Sequence, residues 1–331
     1  MTKVDIFSGF LGAGKTTLIK KLIKESFSGE KVVLIENEFG EIGIDGGFLK
    51  SAGVEITEMN SGCICCSLVG DFEEALKKVI DEFSPDRILI EPSGVGKLSD
   101  VIKAVSDVDS GDISLNSATV IADAKKCKMY MKNFGEFYNN QIENAGCIVL
   151  SRTKDMDDEK IADAVKLIKE HNDDAVIVTT DWELLTGEQI LDAIEGKSKS
   201  SSIIEYDHHE HHHDCCDHDH HEHHHDCCNH DHHEHHHHAD EVFASVGRET
   251  VKKYSVSDIE NALNELENSD KFGVVLRAKG IVESTDGKWI NFDYVPGESD
   301  IRFGNADITG KICVIGSELK EEEIEKLFGL K

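Results

Sequence analysis

MTKVDIFSGFLGAGKTTL, residues 1–18, is the stretch that decides the fold. An apolar run, VDIF at 4–7, passes at once into Gly9, Gly12, Ala13 and Gly14. Lys15, Thr16 and Thr17 follow, and then a helix-period pattern, LIKKLIKES at 18–26. Gly9 to Thr16 fit GxxxxGK[ST] at every fixed position, in the strand-to-helix context that gives the motif its meaning. Small residues let the backbone N–H groups turn inward around a phosphate, helped by the positive end of the following helix. Lys15 is expected to neutralise β/γ oxygens and the Thr16 hydroxyl to hold Mg²⁺.

Outward from this loop, apolar runs recur at VVLIE (32–36), RILIE (87–91), ATVIAD (118–123), CIVLS (147–151) and AVIVTT (175–180). Helix-period patterns separate several of them, as at 72–83 and 160–171. Continuous apolar strands alternating with helices predict an α/β fold, a mostly parallel sheet covered on both faces. Patterning lapses at GKSKSSSIIEY (196–206) and returns after Val242, with helices at 255–268 and 320–330 and strands at 272–284, 288–295 and 311–317. The expected division is a P-loop domain at 1–196, a linker with a His/Cys-rich repeat at 197–241, and a small α+β domain at 242–331.

The chain has 331 residues and a formal charge of −30. Such acidity repels nucleic acid and favours cationic ligands. No apolar run approaches the roughly 18 residues that span a bilayer, and the N-terminal apolar stretch is too short and Gly-rich for a signal peptide. The ten cysteines include tight clusters such as CICC and CC, which suit metal binding in a reducing cytoplasm better than disulfides.

The chemistry concentrates in four further places. In RILIEPSGVGK (87–97) a strand ends in Glu91, placed to act on the Mg²⁺ shell or the attacking water, and Gly94 follows, placed to sense a γ-phosphate. NSGCICCSL (60–68) sets Cys63, Cys65 and Cys66 within four positions. Thiolates so spaced suit Zn²⁺, Cu⁺ or Ni²⁺, and adjacent cysteines form only strained disulfides. VVLIENEFGEIGIDG (32–46) carries Glu36, Glu38, Glu41 and Asp45, placed to complete a metal site or respond to nucleotide. Cys147 and Cys313, in apolar strands, are expected in the core; Cys127 is expected on a surface or helix, and His171 at a helix end.

The fourth place is a 12-residue repeat over 207–240, DHHEHHHDCCDH and its two successors, with 18 of the 19 histidines and ten carboxylates. Lacking Leu, Ile, Val and Phe, it cannot bury enough surface to order itself without a ligand. His208, His209, His211, His220 and His221, with the pair Cys215 and Cys216 and the pair Cys227 and Cys228, read as a metal buffer for Zn²⁺, Ni²⁺ or Co²⁺.

SGFLGAGKTTL, ENEFGEIGIDG, NSGCICCSL and IEPSG, continued by QIENAGCIVLS (141–151) and LRAKGIV (276–282), make the chain resemble the CobW-type P-loop GTPases. The resemblance implies a GTP-hydrolysing metallochaperone: Cys63, Cys65 and Cys66 as metal ligands, Glu36 and Glu41 as additional ones, and Gly14, Lys15 and Thr16 on phosphate and Mg²⁺. Zn²⁺ is the favoured cargo, with Co²⁺ or Ni²⁺ open. A client metalloprotein is the expected partner; neither membrane nor nucleic acid is expected, and a homodimer is allowed. One departure concerns base recognition. Where such GTPases carry an NKxD-like sequence, this chain has Ser151, Arg152, Thr153 and Lys154, with Asp155 one position late. Lys154 cannot accept from guanine, so either Asp155 serves or base selection is relaxed towards ATP. A metal-storage protein with a sensing P-loop is the alternative reading, and a small-molecule kinase a weaker one that leaves the cysteines unexplained.

Overall fold

The computed structural model describes residues 1–36, 55–58, 69–108, 113–197 and 239–330. The cysteine segment, residues 37–54 and the His/Cys repeat lie outside the described residues.

The first unit runs β1 (Thr2–Ser8), α1 (Lys15–Glu25), β2 (Val32–Glu36), β3 (Glu55–Glu58), α2 (Val69–Phe83), β4 (Arg87–Glu91), α3 (Leu98–Ser106), β5 (Ile113–Asp123), α4 (Cys127–Glu143) and β6 (Cys147–Ser151). It continues with α5 (Asp158–Lys169), β7 (Val176–Val178), a 3₁₀ turn at Trp182–Leu184 and α6 (Gly187–Ile194). Its seven strands are all parallel, in the order β3-β2-β4-β1-β5-β6-β7. Alternate strand residues point to opposite faces, and here both sets are apolar. Val4, Ile6, Ile35, Ile90 and Leu150 pack into one core cluster with residues of α2 to α5. Phe7, Leu34, Leu89, Ile121 and Val149 form another with α1 and α6. Because the chain leaves β1 for one half of the sheet and returns to the other half at β5, the crevice for a ligand opens beside the carboxyl end of β1.

The second unit holds α7 (Ala239–Val242), β8 (Ala244–Thr250), α8 (Val256–Glu265), α9 (Ser269–Phe272), β9 (Val274–Glu283), β10 (Trp289–Val295), β11 (Glu298–Gly304), β12 (Gly310–Ser317) and α10 (Glu321–Phe328). Its antiparallel sheet has the order β11-β10-β9-β12-β8. α8 starts with a complete capping box between Ser255 and Asp258, which satisfies donors at its first turn.

The two units share a core. Phe243, immediately after α7, packs against Phe137, Phe134 and Phe10 with ring centroids 5.1, 5.5 and 6.1 Å away. Leu276, Cys313 and Ile315 of the antiparallel sheet join the same cluster. Phe10 belongs to the Gly-rich loop, so the second unit is anchored directly on that loop.

Several sequence expectations need adjustment. The strand expected at 118–123 begins at Ile113, and the one expected at 175–180 spans only Val176–Val178. Of the two places expected for Cys127, the helix holds and the surface does not: it is buried at the start of α4 beside the aromatic cluster, and burial raises its pKa. Cys147 and Cys313 are buried as expected, and burial pushes the Cys147 thiol up to about 12. His171 lies just beyond α5, its Nδ1 3.1 Å from Glu143 Oε1.

At the amino-terminal edge of the parallel sheet, buried Arg87 is held by Asp5, Glu30 and Glu195, and Asp5 accepts from Ser117 Oγ at 2.6 Å and Asn116 Nδ2 at 2.7 Å. Burial alone would raise the Glu195 pKa; hydrogen bonds from Lys197, Asn116 and Arg87 outweigh it and hold the carboxyl at about 2. A depressed folded-state pKa contributes stability above the ordinary carboxylate value that disappears as pH falls through the folded value. Glu195→Gln is therefore expected to lower the unfolding midpoint at neutral pH, with the gap to wild type closing between about pH 4.5 and pH 2. Separately, Phe243→Ala should cost about 3–5 kcal/mol in denaturant unfolding, the loss typical of a buried aromatic.

Candidate functional site

Three glycines shape the loop between β1 and α1, with positive φ at Gly9 (144°), Gly12 (70°) and Gly14 (102°). At Gly9 space is also decisive, because a Cβ would stand 2.3 Å from the Ile121 carbonyl oxygen of β5. Lys15 is buried at 6% exposure, and its ammonium donates to Gly9 O at 2.9 Å and Phe10 O at 3.5 Å. Gly14 caps α1 without any side-chain hydrogen bond, and the first turn carries no acidic residue. The helix thus keeps its positive end for an external anion. Ala13 is buried within the loop and Thr17 is exposed beyond it.

Beside the loop, the Thr16 hydroxyl donates to Glu91 at 2.9 Å to Oε1 and 3.1 Å to Oε2. Glu91 ends β4, and in the parallel register it stands next to Glu36, which ends β2; Glu36 in turn pairs with Glu58 at the end of β3. Three acidic positions therefore line up along the carboxyl edge, starting at the Gly-rich loop. Gly94 packs on that loop, where a Cβ would come within 2.9 Å of the Leu11 amide nitrogen. The turn around it is pinned by Gln141 Nε2, which donates to Gly94 O at 3.1 Å and Gly96 O at 2.8 Å.

On the other side of the loop lie the residues after β6. Ser151 is buried, with Oγ 3.4 Å from Ala122 O. Arg152 adopts a left-handed backbone, φ 61°, unusual for a non-glycine residue. Its guanidinium reaches Gly12 O at 3.2 Å, lies 3.4 Å from Asp123 Oδ2 and pairs with Glu298. Lys154 is exposed and 3.7 Å from Glu183 Oε2. Asp155 is exposed, with no ion pair among the described residues. The Trp182 ring lies 2.9 Å from where a Cβ on Gly14 would be.

Sequence reading missed Asp123, Trp182, Val295 and Glu298. Asp123 carried the same signal as Glu91, a carboxylate closing an apolar strand. Val295, whose Cγ1 would stand 2.2 Å from a Cβ on Gly12, and Glu298 gave none, since both come from the second unit and reach the loop only through the tertiary fold.

The expected metal ligands divide differently. Glu36 is described, at the end of β2. Cys63, Cys65, Cys66 and Glu41 lie outside the described residues. So do the ligands expected in the repeat: His208, His209, His211, Cys215, Cys216, His220, His221, Cys227 and Cys228. Among the described residues, no group of three or more His, Cys, Asp or Glu is placed to hold a metal ion.

No helix among the described residues is long and apolar enough to cross a membrane. Residues 3–179 match the family model described as CobW/HypB/UreG, nucleotide-binding domain, and residues 246–329 match the cobalamin synthesis protein cobW C-terminal domain. The zinc chaperone YeiR of Escherichia coli is 32% identical over 154 residues, 46% of this chain and 47% of that protein. The zinc chaperone CobW of Sinorhizobium sp is 37% identical over 127 residues, 36% of each. Zinc-regulated GTPase metalloprotein activator 1 of Schizosaccharomyces pombe is 26% identical over 213 residues, 61% of this chain and 52% of that protein. The chain spans about half or less of the length of these curated relatives. The solved structure of Zn(II)-bound YjiA GTPase from Escherichia coli aligns with 100% of this chain and 99% of its own, at 22% identity and a TM-score of 0.42. With more than half its length matched by the first model and a second family domain following it, the chain belongs to the CobW/HypB/UreG family of P-loop GTPases.

Proposed function

We propose that this protein is a GTP-hydrolysing metallochaperone, loading a transition metal and passing it to a client metalloprotein under nucleotide control. The observation that carries the proposal is the row of acidic positions on the carboxyl edge. Thr16 bonds Glu91, Glu91 stands in register with Glu36, and Glu36 with Glu58. Cys63, Cys65 and Cys66 follow Glu58 by five to eight residues in sequence, so the last strand of the row is close in the chain to the thiolates. The names of the relatives, zinc chaperones and a zinc-regulated GTPase activator, support the same reading and favour Zn²⁺ as cargo over Co²⁺ or Ni²⁺.

In this reading the β- and γ-phosphates of GTP lie over Gly12 to Thr16, where Lys15 and the N–H groups at the start of α1 neutralise the charge that grows as water attacks in line. A hydroxyl and a carboxylate in contact are the all-oxygen donors that Mg²⁺ prefers, so Thr16 and Glu91 fit it. Once bound there, Mg²⁺ supplies further neutralisation of the phosphate oxygens. Glu91 orients the attacking water, and Gly94, seated on the loop, moves with the presence or absence of the γ-phosphate. Glu36 and Glu41 join the three cysteines around the cargo ion. The repeat, from His208 and His209 through Cys215 and Cys216 to Cys227 and Cys228, is a tethered reservoir that raises the local metal concentration. The working division remains 1–196, 197–241 and 242–331, acting in the cytoplasm.

Three outcomes are expected. Lys15→Ala should reduce Mg²⁺-dependent GTP hydrolysis about 100-fold or more with the fold intact by circular dichroism. In protein lacking the repeat, anaerobic Zn²⁺ titration should give different affinities with GDP and with a non-hydrolysable GTP analogue; equal affinities would identify a store rather than a switch. A peptide of residues 207–240 should release most of its metal between about pH 7.5 and pH 5, as imidazoles protonate.

A further inference from the structure

The residue that stands where a carboxylate would meet guanine is Lys154, yet a carboxylate is present, brought from another loop. Glu183 lies in the 3₁₀ turn after β7, and its Oε2 is 3.7 Å from Lys154 Nζ. The two side chains are 69% and 71% exposed, so the pair adds little to stability. The backbone of the turn that carries Glu183 is held by neighbouring contacts. The Glu183 amide donates to Asp181 Oδ1 at 3.0 Å, capping the turn, and neighbouring Trp182 lies against Gly14 of the phosphate loop. On the β6 side, Arg152 ties the same loop through Gly12 O. Thr153, next to Lys154, is 5% exposed, and its hydroxyl has no hydrogen-bond partner among the described residues. A polar ligand group completes such a hydroxyl.

We propose that Lys154 and Glu183 together select the base of the bound nucleotide, guanine over adenine. The Glu183 carboxylate accepts from N1–H and the 2-amino group, while the Lys154 ammonium donates to O6. Adenine reverses both contacts, setting its 6-amino donor against the ammonium and its unprotonated N1 against the carboxylate. Xanthine keeps O6 and N1–H but replaces the 2-amino donor by a carbonyl, which the carboxylate repels and an amide accommodates. The proposal rests on the reading that the Gly-rich loop binds nucleotide, and it takes the base-reading carboxylate from Glu183 in the β7–α6 connection rather than from Asp155.

The test measures affinities of full-length protein for fluorescent GDP, ADP and XDP with Mg²⁺. Wild type should prefer GDP to ADP by about 100-fold. Glu183→Gln should weaken GDP by about 10- to 100-fold, the loss of charge-assisted hydrogen bonds, and gain XDP binding by a similar factor. Lys154→Ala should weaken GDP about tenfold without weakening ADP. The gain of XDP binding can come only from folded protein, so instability cannot mimic it. Unchanged GDP and XDP affinities in Glu183→Gln, against a wild type that prefers GDP, would overturn the proposal and leave the GTPase reading standing. A switch to XDP in Asp155→Asn instead would overturn it in favour of Asp155. Equal wild-type affinities for GDP and ADP would also overturn it, and wild type that binds none of the three would overturn the nucleotide reading as well.

Discussion

Everything in this molecule depends on the turn from β1 to α1. The chain must leave a central strand, buried from Val4 onward, at Ser8, turn sharply and enter a helix at Lys15. Only backbone with positive φ at Gly9, Gly12 and Gly14 does so, and Gly9 is pressed so closely on β5 that no side chain fits. Glycine carries an entropic cost in the folded state, and the N-terminus of α1, without a side-chain cap, leaves backbone donors open to a ligand. Both costs are explained by an anion, whose binding satisfies those N–H groups and places its charge beside the buried Lys15.

The loop is held from three sides, and this connects hydrolysis to the rest of the fold. From β4 come Glu91 and the Gly94 turn; from β6 comes Arg152; from the second unit come Val295 against Gly12 and Glu298 on Arg152. Phe243 adds an apolar anchor on Phe10. The C-terminal unit therefore touches the phosphate loop at Gly12 and Phe10. Packed contacts of this kind do not deform continuously, so the loop and the C-terminal unit are mechanically joined. The described chain resumes at Ala239, within the repeat and four residues before Phe243.

Electrostatics divides the molecule by task. The −30 net charge favours cationic ligands, and the repeat contributes ten carboxylates to it. The phosphate site inverts the local sign with Lys15, the α1 terminus and Arg152, while Asp123 and Glu298 hold Arg152 in place. Within a strongly acidic chain, the loop after β1 is thus a local concentration of positive charge.

Much of this was legible from local pattern. VDIF followed by GFLGAGKT specifies strand, phosphate loop and helix, because spacing and glycine content are local properties. Apolar runs at 32–36, 87–91 and 147–151 fall on β2, β4 and β6 without shift. Less legible was α4, whose buried face is built from Tyr130, Phe134, Phe137 and Tyr138 rather than aliphatic residues and kinks at Phe134. The same aromatic face buries Cys127, expected on a surface or a helix and found on the helix. By itself, then, the sequence determined the fold class, the phosphate loop and the Cys- and His-rich segments, since each rests on residues adjacent in the chain. Only the tertiary structure decided that Glu91 meets Thr16, that Glu36 stands beside Glu91, that Glu183 faces Lys154 and that Val295 and Glu298 close on the loop. Those pairings depend on strand order and domain docking, which long-range packing sets and no local pattern encodes.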